Sequence, residues 1–182
     1  MKFIPTTIPD VVSIELHALK DERGFFAESF RADEMASAGI SSIFVQDNHS
    51  GSHNNILRGL HYQIRQPQGK LVRAVTGEIF DVAVDLRRSS CTFGQWAGET
   101  LSAKNHKMLW IPPGFAHGFL VMSEWADVLY KASDYYSPEW ERTLIWNDPA
   151  VAINWPLRTT SAPILSPKDA RGVRLENADV YD

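Results

Sequence analysis

Short runs of alternating apolar and polar residues, broken by turn-forming clusters, occupy most of this chain. Alternation at every second residue marks a strand whose two faces meet different surroundings. Residues 43–49 form such a run that turns polar at its end, and Gly51-Ser52-His53-Asn54-Asn55 then reads as a loop. Residues 70–75 and 79–86 flank Thr76-Gly77-Glu78, which predicts a hairpin. Within the second run Asp81 and Asp85 alternate with apolar neighbours. Further strands are predicted over residues 95–102, 107–111, 118–122 and 127–132, separated by turn-rich junctions at 87–94 and Pro112-Pro113-Gly114. One short helix is expected over 32–38, stopped by Gly39. After Tyr136 the pattern loosens into loops with a turn or two of helix.

Many short strands with a single helix indicate an all-β sandwich or jelly roll. No internal repeat, low-complexity tract or linker-like composition shift divides the chain, so residues 1–182 are expected to form one domain. The tail from Ser161 onward is polar, and Ile164-Leu165 is the pair expected to anchor it.

Composition narrows the classes. With 44% apolar and 22% charged residues the chain is ordinary for a globular protein, which argues against disorder. A net charge of −4 gives no support for binding nucleic acid, although local basic residues can still hold a phosphate-bearing small molecule. Cys91 is the single cysteine, which excludes an internal disulfide framework and fits a reducing compartment. It reads as a small core or turn residue. The amino terminus lacks the apolar run of a secretory signal, and no segment reaches the roughly 20 apolar residues that cross a bilayer. A cytoplasmic protein with no membrane partner is expected.

The candidate chemistry starts in Leu57-Arg58-Gly59-Leu60-His61-Tyr62-Gln63 and the nearby Pro67-Gln68-Gly69-Lys70. Both stretches place polar groups on predicted core strands, where they are costly without partners or a ligand. A histidine can accept a proton near neutral pH, and a lysine can stabilise an oxyanion, so the pair suggests proton abstraction beside a carbonyl. On a regular strand Arg58 and His61 point apart; they converge only if the backbone bulges near Gly59. The segment Pro112-Pro113-Gly114-Phe115-Ala116-His117, a Pro-x-Gly-x-x-His pattern, sets a histidine just after a turn and resembles the second cupin metal motif. The first cupin motif needs His-x-His, and here Gln63 stands where the second histidine belongs. Neither His49 nor His53 has a spacing that supplies the missing ligand, so no metal is expected. Tyr130 and Tyr136 have the same parity if their strand continues, and can serve as proton donor and stacking surface, or simply sit at the rim of a β core. Asp169 is a surface carboxylate unless the tail folds back to orient His61. The run Asp21-Glu22-Arg23-Gly24-Phe25-Phe26-Ala27-Glu28-Ser29-Phe30 reads either as a protective edge strand or as ligand contacts supplied across a dimer interface.

These motifs, with the 81–94 block, residues 111–119 and Trp155-Pro156-Leu157, resemble the dTDP-4-dehydrorhamnose 3,5-epimerase family over nearly the whole chain. The resemblance implies a cupin-type jelly-roll β-sandwich with a few short helices. It also implies epimerisation at C3 and C5 of dTDP-4-dehydro-6-deoxy-D-glucose, in dTDP-L-rhamnose biosynthesis, without a redox cofactor. His61 matches the general base, Asp169 its carboxylate partner, Tyr130 the proton donor and Lys70 the residue beside the substrate carbonyl. Arg23, Phe26, Glu28, Gln46, Asn48, Arg58, His117, Glu141 and Lys168 match substrate contacts, and Tyr136 matches the aromatic that stacks on the thymine. A homodimer with exchanged amino-terminal strands is implied as well. The loop at residues 51–56 departs from the commoner family form. Alternatives are a relative that epimerises C3 or C5 alone or isomerises the ketone, a metal-dependent cupin oxygenase, and an inert sugar-nucleotide binding module.

Overall fold

In the computed structural model, which describes residues 1–157 and 162–182, the period-two segments pair into two antiparallel sheets. The strands are β1 (Lys2–Pro5), β2 (Val12–Glu15), β3 (Ala18–Asp21), β4 (Gly24–Ala27), β5 (Gln46–His53), β6 (Leu57–Gln63) and β7 (Lys70–Thr76). They continue as β8 (Glu78–Asp85), β9 (Trp96–Ser102), β10 (Lys107–Ile111), β11 (Phe115–Val121), β12 (Trp125–Ala132) and β13 (Glu141–Thr143). One sheet runs β1-β2-β10-β7-β12-β5, the other β13-β6-β11-β8-β9, and β3-β4 form a separate hairpin. Helix α1 (Ala32–Ser37) ends as predicted, with Gly39 at φ 83°, and short 3-10 turns span Pro138–Trp140, Asp169–Arg171 and Leu175–Asn177.

Three apolar clusters explain the stacking. Val72, Ala74, Leu109 and Val128 of the six-stranded sheet face Ile79, Ala83, Leu101 and Phe119 of the five-stranded sheet, forming the inner core. Outside the first sheet, Ile14, Leu71, Met108 and Trp110 pack under Met35 and Ile40 from α1 and its exit. Outside the second, Leu60, Val82 and Val84 pack under Trp155, Leu175, Val180 and Tyr181 of the carboxy-terminal segment. A strand covered on both faces loses its alternation and reads as a continuous apolar run. That is why β11, buried throughout, begins at Phe115 rather than at the predicted residue 118.

Several expectations are corrected. Thr76-Gly77-Glu78 is no hairpin: β7 pairs with β10 and β12, and β8 pairs with β9 and β11. Gly77, at φ 71°, turns the chain from one sheet to the other. A turn sequence carries the change of direction but not the identity of the strands it joins. Gly51-Ser52-His53 is not a loop; β5 pairs with β12 from Gln46↔Ala132 to Trp125↔His53. Its inward residues Gln46, Asn48, Ser50 and Ser52 are polar, so no hydrophobic alternation betrays the strand. Apolar Ile43 and Val45 lie before it, partly or largely exposed. The strands β1 and β2 lack a sequence signal because they are only four residues each. Ser161 lies outside the described residues. Beyond it, Ile164 anchors the tail by backbone rather than side chain, bonding Asn55 O and Leu57 N while its side chain stays exposed. Cys91 is an exposed turn residue.

Candidate active site

The site begins with an irregularity in β6. Opposite β11, His61 pairs with His117 and Arg58 with Phe119, so three steps along β6 match two along β11. Residues directly opposite each other share a sheet face. Because His117 and Phe119 share the inner face, the bulge brings Arg58 and His61 onto it together. Glycines permit the close approach. Gly59 sits at φ 129°, and a Cβ on it would meet Gly118 Cα and His117 O, while a Cβ on Gly118 would meet Arg58 O at 2.6 Å. The Gly59–Leu60 peptide is cis.

His61 Nε2 lies 2.6 Å from Asp169 Oδ1, and Asp169 is only 3% exposed. The tail has therefore folded back, and the carboxylate fixes the ring's orientation. Burial lowers the His61 pKa below its usual value, against the upward pull of Asp169, and Lys168 and Lys70 lower it further. The imidazole is thus kept neutral and able to take a proton. Burial alone would raise the Asp169 carboxyl, but the His61 bond, the Ser166 hydroxyl and Lys168 together hold it below its usual range.

Lys70 opens β7 and is nearly buried, with Nζ donating a long 3.5 Å bond to His61 O. Burial pushes its pKa down to about 8, although Asp81 and Glu141 favour the charge. Near neutral pH the ammonium persists, with donors left for a ligand oxygen. Tyr130 stands on the inner face of β12, its ring centroid 6.4 Å from that of His117. Burial raises its pKa above the usual phenol value, so the hydroxyl keeps its proton. His117 Nε2 meets Asp81 Oδ1 at 2.8 Å, and both residues are buried.

A polar rim adjoins this group. Tyr136 OH donates to Glu141 Oε2 at 3.0 Å, and Lys168 Nζ donates to Glu141 Oε1 at 2.9 Å. Gln46 Oε1 accepts the Tyr136 N–H, and its amide donates to Asn48 Oδ1. Arg58 Nε donates to Ser52 Oγ at 2.9 Å. The remaining candidates, Arg23, Phe26 and Glu28, are exposed on or beside the β3-β4 hairpin, and Arg23 pairs with Asp21. Phe26 shares a groove with Arg73 and Val75, on the outer side of the six-stranded sheet. A single chain does not bring these three to His61.

Two residues escaped the sequence reading as site residues. Asp81 orients His117, and its second oxygen is buried with no hydrogen-bond partner among the described residues. A carboxylate in an otherwise apolar inner strand was the available signal. Ser52, which holds Arg58, was hidden in the supposed loop. Among the described residues, no three His, Cys, Asp or Glu side chains come together as metal ligands. His49 pairs with Asp127, and His53 packs against Trp125.

A neutral, carboxylate-oriented imidazole near a buried ammonium and a protonated phenol suits proton removal and return beside a carbonyl. The family model for dTDP-4-dehydrorhamnose 3,5-epimerase matches residues 5–177. The dTDP-4-dehydrorhamnose 3,5-epimerase of Pseudomonas aeruginosa is 57% identical over 183 aligned residues, covering 100% of this chain and 99% of that protein. The dTDP-6-deoxy-D-glucose-3,5-epimerase of Legionella pneumophila, solved with dTDP-4-keto-L-rhamnose, superposes with TM-score 0.93 at 51% identity, covering 97% of this chain and 93% of that one. A 3'-monoepimerase of Streptomyces bikiniensis, solved with dTDP-quinovose, gives TM-score 0.88 at 31% identity, covering 96% and 88%. The jelly-roll sandwich is accordingly cupin-like, and the chain belongs to the dTDP-4-dehydrorhamnose 3,5-epimerase family.

Proposed function

We propose that residues 1–182 act as one catalytic domain that epimerises C3 and C5 of dTDP-4-dehydro-6-deoxy-D-glucose, giving dTDP-4-dehydro-L-rhamnose. The observation that carries this reading is the His61–Asp169 pair, at 2.6 Å, beside the buried Lys70 ammonium. The C4 ketone acidifies the hydrogens on C3 and C5. Neutral His61 removes one of them; the C–H electron pair forms a double bond to C4 while the carbonyl π pair moves onto the C4 oxygen, giving an enolate. Lys70 stabilises that charge. Tyr130 then protonates the same carbon from the opposite face, and repetition at the other carbon completes the change. His61 loses its acquired proton to solvent, and Tyr130 regains one. Substrate and product have equal oxidation state, so the balanced reaction needs no redox partner.

Arg58 and His117 are assigned to sugar and diphosphate oxygens, and Tyr136 to stacking on the thymine. Gln46, Asn48, Glu141 and Lys168 complete the nucleotide and sugar contacts. Arg23, Phe26 and Glu28 reach a site only if a second copy lends its hairpin, which favours a homodimer. The exposed Phe25 and Phe26, at 62% and 71%, support that assembly. Among the described residues no helix is long and apolar enough to cross a membrane, which is compatible with work in the cytoplasm.

The likeness to a 3'-monoepimerase gives a second reading, in which only C3 is inverted. Incubation with the keto sugar in heavy water distinguishes the two: NMR should show deuterium entering at both C3 and C5. Exchange at C3 alone would select the second reading. His61→Ala should abolish exchange while leaving the circular dichroism spectrum unchanged; exchange surviving in that variant would remove His61 as the base.

A further inference from the structure

Gln63 occupies the place of the second histidine in a His-x-His metal motif, two residues after His61 on the same strand. It is only 3% exposed, and its side-chain amide has all its protons engaged. Nε2 donates to Gln66 O at 2.8 Å and to Tyr135 O at 3.2 Å, and Oε1 accepts the Ser137 N–H at 2.8 Å. Tyr136 therefore lies between two residues tied to one glutamine, and its own N–H is tied to Gln46. The Tyr136 hydroxyl reaches Glu141, and Glu141 stands opposite Gln63 in the β13-β6 register. Glu141 also holds Lys168, the neighbour of Asp169, which returns to His61. The chain of contacts closes on itself through Gln63.

We propose that Gln63 is a positioning residue that fixes the Tyr136 surface at a set distance from His61, so that the nucleotide half of the substrate delivers its sugar ring to the base. The proposal rests on the functional reading above, with Tyr136 as the thymine contact. β6 runs from His61 directly to Gln63, whose side chain holds the 135–137 segment that follows β12, so that segment keeps its position relative to the base. The amide is suited to this role: only a side chain with two donors and one acceptor satisfies two carbonyls and one N–H together. A buried backbone group left without its partner is costly, so the loop would rearrange when the amide is removed.

The test is Gln63→Met, which keeps length and volume but loses all three bonds. Steady-state kinetics on the keto sugar, calorimetric affinity for dTDP alone and thermal melting are measured together. In a folded variant, the KM and the Kd for dTDP should each rise roughly tenfold, while kcat at saturation falls less than about threefold. The acid limb of the pH–kcat profile should stay in place, because the His61–Asp169 contact is untouched. A dTDP affinity within about twofold of wild type, or a fall in kcat at constant KM, would overturn the proposal. If the methionine variant does not fold, Gln63→Glu takes its place. Its carboxyl still accepts the Ser137 N–H but offers at most one proton to the two carbonyls, so dTDP binding should again weaken, and unchanged binding would again overturn the idea. Wild-type protein that binds dTDP but shows no exchange would sink the epimerase reading alone, leaving the comparison of dTDP affinities to decide the role of Gln63.

Discussion

At His61 two opposing influences meet. Burial favours the neutral imidazole, and the Asp169 carboxylate 2.6 Å away favours the imidazolium. Burial prevails, so the acid limb of kcat/KM should lie below the usual histidine value of about 6.5, with activity lost as pH falls through it. At the other end, Lys70 with a pKa of about 8 should set the basic limb, because the enolate-stabilising role proposed for it requires its charged form. The expected profile is a bell. In Asp169→Asn the upward pull disappears, so the acid limb should move further toward acid while kcat falls about 10²–10⁴-fold. Lys70→Met should lose the limb near 8 and about 10²–10³-fold in kcat. An acid limb that stayed in place in Asp169→Asn, or a basic limb that survived Lys70→Met, would detach these groups from the roles given to them.

At the scale of elements, the meeting of β6 and β11 decides whether Arg58 and His61 face the same space. Gly118→Ala sets a Cβ 2.6 Å from Arg58 O, which only a backbone shift can relieve. The expected destabilisation is about 1–3 kcal/mol, at about 2–4 °C in Tm for each kcal/mol. Activity should fall further than Tm implies at the assay temperature, since the shift parts the two side chains. A melting curve and kcat/KM on the same sample check this, and an alanine variant with wild-type values of both would refute the close packing. Gly59 was readable beforehand as the place where a bulge would be needed, and the histidine and lysine were readable as polar groups on core strands. What stayed hidden was long-range partnership. Nothing near Asp169 says that it meets a residue 108 positions earlier. Nothing in Thr76-Gly77-Glu78 says that its flanking strands go to different sheets. The polar inward face of β5 erased the pattern by which strands are recognised, because a strand lining a polar site has no apolar side to show.

At the scale of the molecule, the exposed β3-β4 hairpin and the enclosed His61 belong to different surfaces of one chain. If two copies exchange hairpins, each site is built from both. Arg23→Ala and His61→Ala would then each be inactive alone. Mixed through reversible dissociation, they would form heterodimers with one doubly altered site and one intact site. Random pairing should restore roughly one quarter of wild-type activity. No recovery in mixtures shown by mass spectrometry to contain heterodimers would place Arg23 and His61 in the same chain's site.

The return of the tail onto β6 has a consequence in time. Tyr181 OH bonds Gln63 O at 2.6 Å, Tyr62 OH bonds Asp179 O at 2.7 Å, and Asp169 lies on the segment so secured. Contacts between residues this far apart require closure of a large loop, and the tail, which packs on the outer face of the five-stranded sheet, has a surface to dock on only when that sheet has formed. His61 would then acquire its orienting carboxylate only once the sandwich is assembled. Catalytic competence becomes a late milestone of folding, and half-formed chains would lack the means to enolise a reactive keto sugar.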